Sequence, residues 1–514
     1  MKNLIPYFFM FFLSLTSIWA QFNPQSKKIT EKFFPDTDKI KDVTPGLKKN
    51  KGFTNYEELI SFLTTLQEEH SDWVTLEYIG ASQKGLKIPL IKLTNHKLNQ
   101  EKLKIWIQGG LHGNEPASSE GVLYILYTLL NDPEYKYLLN SIELAVVPMA
   151  NIDGYLKQNR YAANGLDLNR DQTKLMAPES VAIKQAFSNF DPEVGLDFHE
   201  YNPYRRDFTK LHNYGIAAYY DAMMLYSGNL NVPKNIRQLT ETLFVESTRK
   251  ELEINNLTSR DYVSTEDFEG EIRFNRGSTN ARSSATSYAL TNTISTLVEV
   301  RGVGLDRTSF KRRIFTTFLI GMNYIKIAHK NAEIIKQEIA KARYNMGEIT
   351  VTSSQEVYKD DILAIDLEAD DLIKLPVTIR DALLSKPKLV RPLPEAYIIN
   401  HNQPEIIEKM KVLGIKIDTL SEEKQFTVEC YLISSIEDNS VPYEKMNLQK
   451  VTTEIVNRVI RFPKGTYIIS TDQKNKPILT EVLEPEAPNS FISFGVLRTK
   501  LNEELPIYRL LKKN

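Results

Sequence analysis

Cysteine is almost absent: the 514-residue sequence holds one, Cys430. No internal disulfide can brace the fold. Cys430 lies in the stretch Phe426 to Leu432, whose alternation sets it on the apolar face of a strand. There it reads as a small core side chain and not as a nucleophile. An excess of either charge is also absent, with 64 basic and 65 acidic residues. That balance gives no electrostatic argument for nucleic acid or an anionic membrane, and no nucleic-acid partner is expected. No self-similarity at a period of about 20–50 residues marks a repeat architecture.

Apolar runs long enough to span a membrane are missing after residue 20. Before it, Lys2 leads into the run Leu4 to Leu13, and Ile18 and Trp19 precede Ala20. This order reads as a secretory signal over residues 1–20, cleaved after Ala20. Pro6 and three hydroxyl residues, Ser14, Thr16 and Ser17, interrupt the run and argue against a retained anchor helix. A secreted or periplasmic chain without stable membrane insertion is therefore expected.

Residues 21–52 are polar and lysine-rich and read as a leader or linker, with Lys48 to Lys51 as a solvated charge run. From Tyr56, Leu59, Ile60, Phe62, Leu63 and Leu66 share a helical face. Strands are expected at Trp73 to Ile79, Ile88 to Leu93, Leu103 to Ile107, Ile142 to Pro148, Val194 to Phe198 and Ile294 to Val300. Helical patterns run from Ser119 to Leu130 and from Ala182 to Phe190. Such alternation predicts an α/β fold, a mixed and mostly parallel sheet flanked by helices. Ile325, Ala328, Ala332, Ile335 and Ile339 mark one long packing helix. Beyond Gly347 the pattern becomes short β-branched runs between turns, with one helix from Pro404 to Leu413. The boundary is placed near 345, giving a catalytic region at 53–345 and a β-rich C-terminal domain at 346–514.

The stretch Gln108 to Glu115 follows a strand and precedes a helix. His112 and Glu115 therefore sit at the carboxyl edge of the sheet, where open α/β folds bind ligands. A histidine and a glutamate three residues apart can reach one ion, and a His₂Glu set with an open fourth position is a catalytic zinc arrangement. Of seven histidines, His199 shares the setting of His112, since it ends the strand Val194 to Phe198. Alone, His112 and Glu115 are equally consistent with a polar helix start. Their company is more informative: Asn151, Asp153 and Gly154, then Arg160, then Asp167, Asn169 and Arg170, and finally Glu299 inside a strand. A carboxylate there needs a task or a partner, and Arg301 is the nearest candidate partner.

Taken together and in this order, these motifs closely resemble the zinc carboxypeptidase family over roughly residues 53–340. The tail, with Phe462 to Tyr467 and Leu483 to Pro488, is similar to that of a secreted bacterial subgroup. The resemblance implies one Zn²⁺ per chain held by His112, Glu115 and His199, with a water of pKa about 7 in the remaining position. It implies that Glu299 is the proton-shuttling base and that Arg160 stabilises the oxyanion. It further implies that Asn169 and Arg170 bind a substrate's terminal carboxylate and that Asp167 orients a ligating histidine. The implied partner is a peptide or protein with a free C-terminus.

Two departures accompany the likeness. The family often carries a tyrosine on a mobile loop before the catalytic glutamate; here Tyr288 lies close to Glu299 and reads equally as a core residue. The basic stretch 274–287 offers Arg276 and Arg282 either to a carboxylate-bearing substrate or to structural salt bridges. Two other readings keep the scaffold. One is a zinc amidase or deacylase acting on cell-wall peptides or acylated amino acids. The other is a non-catalytic surface binding protein.

Overall fold

The computed structural model describes residues 25–344, 347–438 and 442–511. The expected signal segment 1–20 lies outside the described residues. Among the described residues, no helix is long and apolar enough to cross a membrane.

An eight-stranded mixed sheet forms the centre. Its spatial order is Val74–Ala81, Lys87–Leu93, Ile142–Val147, Leu103–Gly109, Val194–Tyr201, Ile294–Arg301, Ala222–Leu225 and Ser259–Asp261. The four middle strands run parallel and the two on the first edge antiparallel. Parallel strands covered on both faces read as near-continuous apolar runs, and every residue of Val194–Tyr201 is buried. Side chains alternate between the faces. Trp106 and Gln108 meet Phe187 and Tyr288 on one side. A side chain at Gly109 would press on Ser118 and Val122 of the helix Pro116–Asn131, on the other.

Three expectations need correction. His199 does not end its strand, because Val194–Tyr201 continues to Tyr201, paired residue by residue with Ile294–Arg301. The long helix is two, Phe310–Lys330 and Ala332–Ala342, separated at Asn331 while the apolar stripe continues across the break. The tail is not built mainly from short runs: Glu348–Asp366 and Asp371–Pro392 form one long antiparallel ribbon, and Lys424–Asp438 pairs with Gln449–Phe462 in another. Many ribbon residues face solvent, so no apolar period announces them.

The first ribbon crosses position 345 in its pairing. It joins Ile216–Ala218 on one side and Glu271–Arg276 with Val263–Phe268 on the other, in a five-stranded sheet. The second belongs to a six-stranded sheet that also contains Cys430, which is buried as expected. The segment before residue 52 packs against the central region. Glu120, buried in the helix Pro116–Asn131, accepts from the Gly46 and Leu47 amides at 2.8 and 3.3 Å and from the Thr44 and Thr54 hydroxyls. Ile29, Phe34, Ile40 and Leu47 are buried, whereas Lys48 and Lys51 are exposed as the charge run predicts.

Candidate metal centre and active-site cleft

The turn after Leu103–Gly109 is shaped by glycine. Gly110 adopts φ 65°, which costs glycine nothing. At Gly113 a Cβ would stand 2.1 Å from the Gly154 carbonyl carbon, so only glycine lets this turn lie on the segment Ile152–Tyr155. Asn151 ties that segment to the next loop: its Oδ1 accepts from the Gly154 amide at 3.0 Å and its Nδ2 donates to the Arg160 carbonyl at 3.2 Å. Asp153 accepts from the Ser82 hydroxyl and the Lys84 amide. The Asn-x-Asp-Gly motif thus holds the loop that carries Arg160.

His112, Glu115 and His199 converge as one buried cluster, with one potential ligand atom from each lying within 4.8 Å of the others. Nδ1 of His112 is 2.7 Å from Glu115 Oε1, and Nδ1 of His199 is 2.9 Å from Glu115 Oε2. The two Nδ1 atoms are 3.0 Å apart. Each imidazole turns its other nitrogen to a carboxylate: His112 Nε2 lies 3.0 Å from Asp167 and His199 Nε2 lies 2.9 Å from Asp197. These partners favour a ring proton on each Nε2, the tautomer in which both Nδ1 lone pairs would be free to ligate a metal. Such a group of acceptors, sealed from water, needs positive charge between its members. Two imidazole nitrogens and a carboxylate are the donors of catalytic zinc sites, so the residues fit a zinc ion.

The electrostatics agree. Burial pushes the Glu115 carboxyl up, but the His112 and His199 imidazoles outweigh it and hold the group below its ordinary range. Burial alone would lower the His199 pKa, but the Asp197 and Glu115 carboxylates outweigh it and hold the imidazole well above its ordinary value. Asp167 is held below the usual carboxylate range despite its burial, by His112 and Arg160.

Strand register brings Glu299 to the same place, since it pairs directly with His199. Burial, and then the Glu115 charge, push its carboxyl up to about 7. Its Oε2 has no hydrogen-bond partner among the described residues. Arg301 does not pair with it; the Arg301 guanidinium lies 3.9 Å from the centre of the Phe34 ring and donates to Gln25. Arg160 donates to Asp167 Oδ2 through Nε and Nη2, at 3.1 and 2.8 Å, and brings Nη1 to 3.2 Å from His112 Nδ1.

Two cavities, of about 490 and 290 Å³, meet at Arg160, Arg170, Tyr262 and Glu299. Asn169 lines the smaller one; its Oδ1 accepts from the Ser284 amide at 2.9 Å, and its carbonyl accepts from Arg170 Nη1 at the same distance. Of the eight residues expected at the site, His112, Arg160, Asn169, Arg170 and Glu299 line the cavities, while Glu115, His199 and Asp167 are buried in contact with His112. Arg276 is committed to structure, pairing with Asp261 at 2.5 Å and Asp381 at 2.9 Å. Tyr288 is a core residue stacked on Phe187, with its hydroxyl on Gln108. His212 stands apart, 3.4 Å from Asp366.

Sequence reasoning missed three contributors. Asp197 had a readable signal, two residues before His199 and so on the same strand face. Tyr262, whose phenol is raised by burial and by the nearby Glu299 charge, had none. The tip of the second ribbon had none either: Glu444 Oε2 accepts from the Asp167 amide at 2.9 Å, and the Tyr443 ring lies beneath the Arg282 guanidinium, 5.0 Å away.

Comparison with known proteins identifies the family. The family described as "Zinc carboxypeptidase" matches residues 59–221. "Carboxypeptidase 2" of Trichophyton equinum is 30% identical over 471 residues, covering 89% of this chain and 87% of that protein. "Carboxypeptidase 2" of Trichophyton rubrum is 29% identical over the same length and shares. The solved carboxypeptidase A from Helicoverpa armigera aligns with 56% of this chain and 78% of its own, at 20% identity and a TM-score of 0.43. The chain belongs to the zinc carboxypeptidase family. It is a metallocarboxypeptidase, a hydrolase of peptides.

Proposed function

We propose that the protein is a secreted, zinc-dependent exopeptidase that removes the C-terminal residue of peptides and proteins. One observation carries the reading: one potential ligand atom from each of His112, Glu115 and His199 converges within 4.8 Å, beside Glu299, whose buried Oε2 has no hydrogen-bond partner among the described residues. Zinc, when bound there, supplies Lewis acidity and a water acidified to a pKa of about 7. The protein's own groups do the rest. Glu299 takes the proton of the attacking water and passes it to the leaving amine, and a carboxyl pushed up to about 7 suits both transfers at neutral pH. Arg160 stands at the meeting point of the two cavities, where its fixed charge stabilises the oxygen that becomes negative. Asp167 and Asp197 hold the imidazole rings in the ligating tautomer.

Asn169 and Arg170 hold the terminal carboxylate. Support comes from Arg170, which lines both cavities and forms no ion pair with any described carboxylate. The larger cavity then takes the preceding part of the peptide. Export rests on residues 1–20. The strands beyond 345 act as part of the catalytic unit, because Gln355, Ile362 and Arg380 line the cleft. The test pairs peptides that differ only in a free or an amidated C-terminus. Cleavage of the free form alone, abolished by 1,10-phenanthroline and restored by zinc, is expected. Equal cleavage of both forms would favour the amidase alternative.

A further inference from the structure

The smaller cavity is strongly basic. Its wall carries Arg160, Arg170, Arg276, Arg282 and Arg380 against only two acidic residues, Glu266 and Glu299. Three of the arginines are compensated: Arg160 by Asp167, Arg276 by Asp261 and Asp381, and Arg380 by Glu266 at 3.9 Å. Arg170 and Arg282 form no ion pair among the described residues. Arg282 is half-buried and fixed by its backbone: its amide donates to Asn489 Oδ1 at 3.3 Å and its carbonyl accepts from the Gln172 amide at 3.2 Å. Among the described residues, the Tyr443 ring is the group that meets its guanidinium. Burial lowers the Arg282 pKa and the Arg170 charge adds to that, against smaller opposing effects of Tyr443, Asp167 and Glu444.

We propose that Arg282 is a specificity-determining residue, and that the smaller cavity selects peptides ending in aspartate or glutamate. The inference rests on the carboxypeptidase reading and extends it. Arg170 with Asn169 accounts for one carboxylate, the chain terminus. A second uncompensated guanidinium in the same space calls for a second carboxylate, and the terminal residue's own side chain is the group that reaches it. At about 290 Å³ the cavity is at the small end of the ~300–1,000 Å³ of ligand pockets, suited to one residue. A planar guanidinium pairs a carboxylate through two parallel hydrogen bonds, which an amide of the same shape cannot match.

The test compares the zinc-loaded full chain on peptides ending in Glu, Gln, Leu or Lys and otherwise identical. The expected ratio of kcat/KM, Glu-ended over Gln-ended, is about tenfold or more. It should collapse to about one in Arg282→Gln and recover in part in Arg282→Lys. Free glutamate should inhibit the unmodified enzyme at lower concentration than free glutamine, a measurement that needs no variant. Preference for Leu or Lys ends would overturn the acidic pocket and leave the carboxypeptidase reading intact. An acidic preference that survives Arg282→Gln would overturn the role of Arg282. Equal loss on Glu- and Gln-ended peptides would assign Arg282 to the terminal carboxylate instead. No cleavage of any free-ended peptide would overturn both readings together.

Discussion

Replacing Asp197 by asparagine removes one charge from the metal centre and almost nothing else. Asp197 Oδ2 accepts from His199 Nε2 at 2.9 Å and from the Ser284 hydroxyl. Its other oxygen, Oδ1, has no hydrogen-bond partner among the described residues, so an amide nitrogen can take that position without breaking a bond. The variant should therefore fold, and His199 should keep its place. What falls is the basicity of the ring and the bias toward the tautomer with a free Nδ1. Loss of such a supporting partner weakens metal binding about 10–100-fold, which corresponds to ~1.4–2.7 kcal/mol. The assay is zinc affinity by competition with a calibrated chelator, with circular dichroism as the check on folding. An affinity within about twofold of the unmodified protein, in a protein whose His199→Ala variant no longer binds zinc, would refute the role assigned to Asp197.

Glu299→Gln should keep its zinc content while kcat falls by at least ~10²–10⁴-fold, read by metal analysis and peptide hydrolysis on the same sample. Arg160→Ala should lower kcat by about 10²–10³-fold, or ~3–4 kcal/mol of barrier, with a smaller effect on KM. Glu481 supplies a pH test away from the site. Burial raises its carboxyl from 4.5 to about 7, so the folded state holds a proton that the unfolded chain releases first. Stability should decline as pH rises from about 4.5 through 7, by up to ~3 kcal/mol. Glu481→Gln should abolish that decline, so the variant's advantage in urea midpoint should be larger at pH 8 than at pH 5. An equal advantage at both would contradict the buried ionisation.

The parts of the site that could be read in the sequence are those written locally. His112 and Glu115 share one turn, Asp167 to Arg170 share another, and each motif carries its own spacing. Glu299 stood out because an acid in an apolar strand is costly. The central sheet was legible for the same reason, since its strands are apolar runs of the right length. Three things were not. The extent of Val194–Tyr201 depends on pairing with a strand a hundred residues later, which no local pattern records. The ribbon Glu348–Asp366 is largely polar, so its length is set by backbone pairing and leaves no hydrophobic period. Arg276 and Arg282 look alike in sequence; only the positions of Asp261 and Asp381, distant in the chain, separate the paired guanidinium from the unpaired one.

Part of the cleft wall comes from the ribbon of residues 348–392, and the Tyr443 ring lies against Arg282, while the candidate metal ligands all precede residue 200. One part of the wall, the ribbon, thus comes from a stretch that holds none of the expected reacting groups. Mutation can reshape the wall without touching the hydrolytic centre. Relatives that share every reacting group need not share a diet.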